Sequence, residues 1–357
     1  MSRGRRSGEG PGGALRLPAE WEPHQATWLT WPHATGDWPG RFAAIPFVYA
    51  EIVRRVSRGE RVRVLVNGPA HEARARRLLR RSGVELSPVE FLRIPTDRGW
   101  NRDSGPIVLS GGGRRAVAGF RFNAWARYPD FRRDARVAER AARALGLPLR
   151  PVLRRGRPVV LEGGAVDVNG RGSILATEEC LLDPRVQVRN PGFGKEDYRA
   201  VFAEVLGAGN VIWLGSGISG DDTHGHVDDL ARFTGPRTIA LCRTADPRHP
   251  DYRALEENRE RLASARLEDG SRPEVVELPV PGPVAHAGRR LPASYANFYV
   301  CNAATLVPTF DDPHDRLALG ILAGLLPDRP VVGIHALDLV WGLGTLHCLT
   351  QQEPAAG

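Results

Sequence analysis

Apolar and polar positions follow two alternating periods along the chain. Short apolar runs that flank turn residues read as paired strands: 107–109 with 117–122 around SGGGRR, and 165–168 with 173–177 around NGRG. Two further pairs are 230–233 with 238–242 around TGPR, and 298–301 with 305–307 around Asn302 and Ala303. A stretch with helical spacing follows each pair, at 133–145, 195–206, 251–265 and 313–326. In the second of these, Tyr198, Val201, Phe202 and Val205 share one face, and Pro313 takes a first-turn position in the fourth. A short apolar strand then closes each round, at 159–161, 211–214, within 274–280, and at 331–334. The hairpins begin near residues 107, 165, 230 and 298, a repeat of roughly 60–70 residues.

The two ends supply a fifth copy. Residues 346–350 read as a C-terminal strand, and 26–31, 47–56 and 62–66 as an N-terminal strand, helix and strand. A unit assembled from both ends closes a ring and removes the exposed sheet edges of an open array. The expected fold is therefore an α/β, five-unit pseudo-symmetric propeller of ββαβ-type repeats, closed by N- and C-terminal segments. It forms one domain over 15–357 behind a disordered basic tail, 1–14. An ordinary open sheet would alternate single strands with helices, and the repeated hairpins argue against it.

Composition narrows the class. With 357 residues and 42% hydrophobic side chains, the chain can bury a sizeable core. No run of about 18 apolar residues exists to cross a membrane as a helix. The start MSRGRRSGEGPGG has no apolar segment behind it, so no secretory signal is expected. Four separate cysteines without a CxxC pair suit a reduced, cytoplasmic protein. The net charge of +8 comes from arginines spread over helices, as in HEARARRLLRR at 71–81. This pattern reads as a solvated surface, so neither nucleic acid nor a membrane is expected as a partner. Nothing in it decides for or against a homo-oligomer.

The polar residues that stand out fall at equivalent places. Asp103 precedes the first hairpin, Glu162 the second, His226 and Asp228 the third, and Asn297 the fourth, while Cys348 falls in the closing C-terminal strand. Around a common axis these positions converge. Cysteine supplies a nucleophile as thiolate, and histidine relays protons near neutral pH. Several carboxylates disfavour a neighbouring thiolate unless a cation sits among them. A guanidinium is such a cation, and its N–H fork matches carboxylates. Glycines at 163, 164, 225, 342 and 344 permit close approach. His347, beside Cys348 on a strand, is expected on the opposite face as a packing or supporting residue. Cys180, Cys242 and Cys301 read as inert. The spacing His224-x-His226-x-Asp228 also fits a metal-dependent hydrolase, which stands as a second reading.

Six segments carry a more specific likeness: LPAEWEPHQATWLTWP (17–32), WNRDSGP (100–106), EGGAVDVNGRGSILATEECLL (162–182), DDTHGHVDD (221–229), SYANFYVCN (294–302) and GLGTLHCLTQQ (342–352). In this order they resemble the agmatine deiminase and Porphyromonas-type peptidylarginine deiminase family of the pentein superfamily. The resemblance implies the propeller fold and hydrolysis of a guanidine to a urea and ammonia, with no cofactor and no metal. It places the nucleophile on Cys348, the general acid/base on His226, and the guanidinium-gripping carboxylates on Asp103 and Asp228. Glu162 matches an acid that holds His226 or shares the substrate contact. Asn297, Trp100 and Gly344 match substrate-side positions. Agmatine, giving N-carbamoylputrescine for putrescine and polyamine synthesis, is the first expected substrate; peptidyl-arginine and free arginine are the alternatives. A non-catalytic guanidine or nucleic-acid binder is the alternative of a different class. The chain departs from the family pattern at Leu343, inside a glycine run, and at Asn101 and His224.

Overall fold

The strand Ser173–Thr177 is buried along its whole length, as a strand covered on both sides must be. It pairs antiparallel with Asp167–Val168 and parallel with Asn210–Leu214, reached through the helical segments that follow it. This arrangement, a hairpin whose second strand also carries a parallel third strand, recurs. Ile107–Gly111, Arg114–Gly119 and Leu149–Pro151 form one such sheet. Ala231–Phe233, Thr238–Arg243 and Glu274–Pro279 form another, and Tyr299–Cys301, Ala304–Thr309 and Val331–His335 a further one. The computed structural model, which describes residues 13–357, is thus a mixed α/β molecule of small separate sheets with helices packed outside them. Residues 1–12 of the expected basic tail lie outside the described residues.

Both ends of the chain share one sheet. Thr350–Pro354 runs antiparallel to His24–Thr30, with Trp28 opposite Gln351, and Arg61–Leu65 and Val89–Leu92 continue that sheet in parallel. The alternation RVRVL puts Val62 and Val64 inward. They meet the helix Ile45–Val56, whose buried residues Ile45, Tyr49, Ile52, Val53 and Val56 recur at helical spacing.

Two expected strands are displaced. The third strand of the first sheet is Leu149–Pro151, not 159–161. Leu149–Pro151 is exposed, with Leu149 as its one large apolar side chain, whereas Val159 and Leu161 are buried in a loop beyond a small hairpin of Leu153–Arg154 with Arg157–Pro158. At the C-terminus, Leu346–Leu349 is a single helical turn, and the strand begins only at Thr350. Cys348 and His347 therefore sit on a turn, and the expectation that a strand throws them onto opposite faces fails.

Candidate active site

Five short segments, each just before the first strand of a pairing, deliver the polar side chains. Asp103 lies on the turn Asn101–Ser104, and Glu162 immediately before the turn Gly163–Ala165. His226 precedes the turn Val227–Asp229, which carries Asp228 and Asp229. Asn297 precedes Tyr299–Cys301, and Cys348 lies within Leu346–Leu349. Short turns tied to sheets hold such side chains more rigidly than free loops.

Cys348, Asp103 and Trp100 line a cleft of about 510 Å³, along with Trp125, Tyr128, Asp222 and Leu343. Trp100 forms one wall and packs on Trp38 at a ring separation of 5.2 Å. Gly344 lies beneath that wall: a Cβ there would stand 2.8 Å from the Trp100 ring and 3.1 Å from Cys348 Sγ. Asn297 holds the thiol. Its Nδ2 donates to Cys348 Sγ at 3.2 Å and to Asp229 Oδ1 at 2.9 Å, while its Oδ1 accepts from Thr345 Oγ1 at 2.7 Å and the His347 amide at 3.1 Å.

The carboxylates converge on the same point. Asp228 Oδ2 lies 4.0 Å from Cys348 Sγ. His226 Nδ1 stands 3.9 Å from an oxygen of Asp103 and 3.9 Å from one of Asp228. Asp103 is fixed by the Trp125 indole N–H at 2.9 Å and the Gly164 amide at 3.0 Å. Glu162 is fully buried and accepts from Arg189 Nε at 3.1 Å. Donor atoms of Glu162, Cys180 and His226 lie within 4.8 Å of one another, as do those of Asp228, Asp229 and Cys348. Buried atoms Glu162 Oε2, His226 Nε2 and Asp228 Oδ1 have no partner within the protein.

The charges of this cluster are strongly perturbed. Burial pushes the Cys348 thiol well above its usual range, and Asp228, Asp229 and Asp103 add to the effect. Burial alone would lower His226, but the Asp103 charge, contact with Cys180 and the Asp228 charge outweigh it and hold the imidazole well above its usual range. Burial pushes Asp103 up to about 6 against the opposing His226 charge. Asp229 is driven well above the carboxylate range by burial and by Asp228. Burial would raise Asp228 too, yet its bond to His347 keeps it below the ordinary value. The protein alone thus favours a neutral thiol, an imidazolium and an ionised Asp228.

The metal-type set does not assemble. His224 has a positive φ of 65° and turns Nε2 to Asp183 at 3.1 Å, with Nδ1 3.8 Å from Glu179. Among the described residues, the converging groups of three contain His226 or Asp228 without His224. Sequence reasoning missed Trp125, Asp229 and Arg189; Cys180, read there as inert, lies within 4.8 Å of Glu162 and His226. Asp229 was signalled by its place after Asp228. Arg189 and Trp125 carry no local signal, because their partners Glu162 and Asp103 are far along the chain.

Cys348 and Asp103 line the cleft, His226 and Asp228 are buried beside them, and this residue set in an α/β fold is the one expected of an enzyme that acts on guanidines. The chain belongs to the Porphyromonas-type peptidyl-arginine deiminase family, whose sequence profile matches residues 16–354. It is 33% identical to the agmatine deiminase of Ectopseudomonas mendocina, covering 96% of each chain. Among solved structures it superposes on the Enterococcus faecalis agmatine deiminase with a TM-score of 0.86, at 28% identity over 95% of this chain and 96% of that one. A cysteine-to-serine variant of the C. jejuni agmatine deiminase with substrate bound matches with a TM-score of 0.84, at 29% identity over 98% and 99% of the two chains.

Proposed function

We propose that this chain hydrolyses agmatine to N-carbamoylputrescine and ammonia. The observation that carries the reading is that Cys348 and Asp103 line the cleft while His226 and Asp228 stand buried within 4.0 Å of one or the other. Full-length relatives named agmatine deiminases support the choice of substrate.

Asp103 and Asp228 grip the guanidinium from two sides. The cation neutralises the field that keeps Cys348 protonated, so substrate entry itself favours the thiolate, and the thiol proton leaves to solvent. The sulfur adds to the guanidinium carbon. His226 gives its proton to the leaving nitrogen, the C–N bond breaks, and ammonia departs to leave an amidino-thioether. His226 then takes a proton from water, whose oxygen adds to the same carbon. The C–S bond breaks, the thiol recovers its proton, and the urea leaves. Each proton transfer contributes about 10²–10⁴ in rate. Asn297 aims the thiol, Glu162 sits behind His226, and Trp100 with Gly344 shapes the slot for the flat head group.

In this reading residues 15–357 form one domain of five ββαβ-type units around a pseudo-five-fold axis. The recurring strand order of four sheets, and a fifth sheet shared by both termini, support it. No helix among the described residues is long and apolar enough to cross a membrane, and a small cytoplasmic guanidine suits the composition.

The test is purified protein offered agmatine, arginine and an arginine peptide, with ureido product and ammonia quantified. Agmatine is expected to turn over fastest. A higher kcat/KM on the peptide would replace it with peptidyl-arginine. Ammonia release lost to a chelator but not to thiol alkylation would favour the metal reading.

A further inference from the structure

Behind the cleft, the His347 ring lies between two buried carboxylates. Its Nδ1 is 2.6 Å from Asp228 Oδ2 and its Nε2 is 2.8 Å from Glu20 Oε2. The residue is 1% exposed, so bulk solvent is kept from both nitrogens. An ionised carboxylate only accepts, and a neutral imidazole carries one N–H. Two such contacts therefore require either an imidazolium or a proton on one of the carboxyls.

The surroundings of Glu20 argue against a proton there. Its Oε2 also receives Arg102 Nη2 at 3.1 Å, and its Oε1 receives the Val300 amide at 2.8 Å and faces Arg232 Nη2 at 3.0 Å. Every neighbour of that carboxylate is a donor. The charge count agrees. The buried anions on this side are Glu20, Asp228 and Asp167, the last bonded to Arg232 Nε at 2.9 Å. The arginines that reach these carboxylates are Arg102 and Arg232. A charged His347 balances the set, and an unbalanced buried charge is costly. On its other side Asp228 faces His226, Cys348 and Asp229.

Resting on the reading of the site above, we propose that His347 is a positioning residue: an imidazolium fixed between Glu20 and Asp228, which keeps Asp228 ionised and occupies its Oδ2. Asp228 Oδ1, which has no partner, is then the oxygen left to the substrate guanidinium. The backbone of His347 is fixed as well. Its amide donates to Asn297 Oδ1 at 3.1 Å, and its carbonyl accepts from Arg102 Nε at 3.2 Å. One residue thereby links the charge of the clamp to the placement of the adjoining nucleophile, Cys348. The low position of the Asp228 carboxyl, held there against burial by the His347 contact, is in keeping with this.

The test joins a spectroscopic and a kinetic readout. In the whole protein labelled with ¹⁵N-histidine, two buried imidazoles, His226 and His347, are expected with both nitrogens protonated near neutral pH, and the signals of one of them vanish in His347→Gln. A single protonated nitrogen on that ring overturns the proposal. In folded His347→Gln, kcat/KM for agmatine is expected to fall roughly 10–100-fold, the worth of one charge-assisted bond to a buried group. The loss lies more in KM than in kcat. The acid limb, which Asp103 sets in the parent, becomes steeper and moves to higher pH, because Asp228 has lost the cation that kept it ionised and its ionisation now adds to that of Asp103. An unmoved acid limb in a variant that melts like the parent also overturns it. If the variant does not fold, the wild-type spectrum decides. A parent that releases no ammonia from any guanidine refutes the function and leaves the charge of His347 to the spectrum.

Discussion

Gly164 and His226 are packed so closely that a Cβ on Gly164 would stand 2.5 Å from His226 Nδ1. The same carbon would come within 3.0 Å of an oxygen of Asp103 and of Asp228. The glycine that precedes the second hairpin is thus the floor on which the imidazole and both carboxylates rest. Its amide also holds Asp103 at 3.0 Å.

Gly164→Ala tests this packing. A methyl group there displaces the imidazole or tilts Asp103, and overpacking of this kind costs about 1–3 kcal/mol. A shift of about 1 Å at a catalytic centre costs on the order of 10²-fold in rate. Ammonia release from agmatine should fall by about that factor while the chain still folds. A variant with parental kcat would show that the three side chains do not need their present spacing.

The acid limb of kcat/KM follows from Asp103. Burial, opposed by His226 and assisted by Asp228 and Glu162, pushes its carboxyl up to about 6. In the proposed mechanism the ionised form grips the guanidinium, so kcat/KM should rise with pH through about 6 in the free enzyme. The Trp125 indole N–H favours that ionised form. Trp125→Phe should therefore move the limb to higher pH. A limb that stays in place or moves down would assign it to another group.

The sequence shows where the chemistry-bearing residues stand more clearly than how they are supported. The turn NGRG is local, and Gly170 and Gly172 at φ 70° and 129° make its hairpin readable from four letters. The placement of Asp103, Glu162, His226, Asp228 and Asn297 before strands was legible for that reason. The turn carrying Cys348 was not. Leu346, Cys348 and Thr350 alternate as in a strand, and the local conformation is decided by His347 reaching Glu20, 327 positions away in the chain. Arg189 with Glu162 and Trp125 with Asp103 are likewise contacts across 27 and 22 positions, beyond any spacing rule. The strand Leu149–Pro151 is three residues long and exposed on an edge, with Leu149 as its single large apolar side chain, so no apolar run announces it.

Thiol reactivity should separate charge from catalysis. Burial and the acids around Cys348 keep the resting thiol protonated, so a neutral alkylating reagent should label it slowly near neutral pH. Asp103→Asn removes one of the anions that oppose ionisation. Labelling of Cys348, followed by mass spectrometry, should become faster, while agmatine turnover falls by about 10² or more because half of the clamp is lost. Slower or equal labelling would mean that Asp103 does not set the state of the thiol.

Leu343 is the last residue for which the backbone makes a demand the side chain meets poorly. It follows the turn Val340–Gly342 with φ at 70°, in the left-handed region, and it lines the cleft beside Trp100 and Trp341. A leucine in that conformation costs about 1–2 kcal/mol, partly offset because glycine loses more chain entropy on folding. Leu343→Gly should therefore raise the melting temperature by about 1–2 °C. It should also widen the cleft mouth, so that kcat/KM for an arginine peptide rises relative to that for agmatine. A lower melting temperature would mean that the packing of Leu343 against its aromatic neighbours outweighs the backbone strain. An unchanged substrate ratio would place the barrier to larger guanidines elsewhere along the wall.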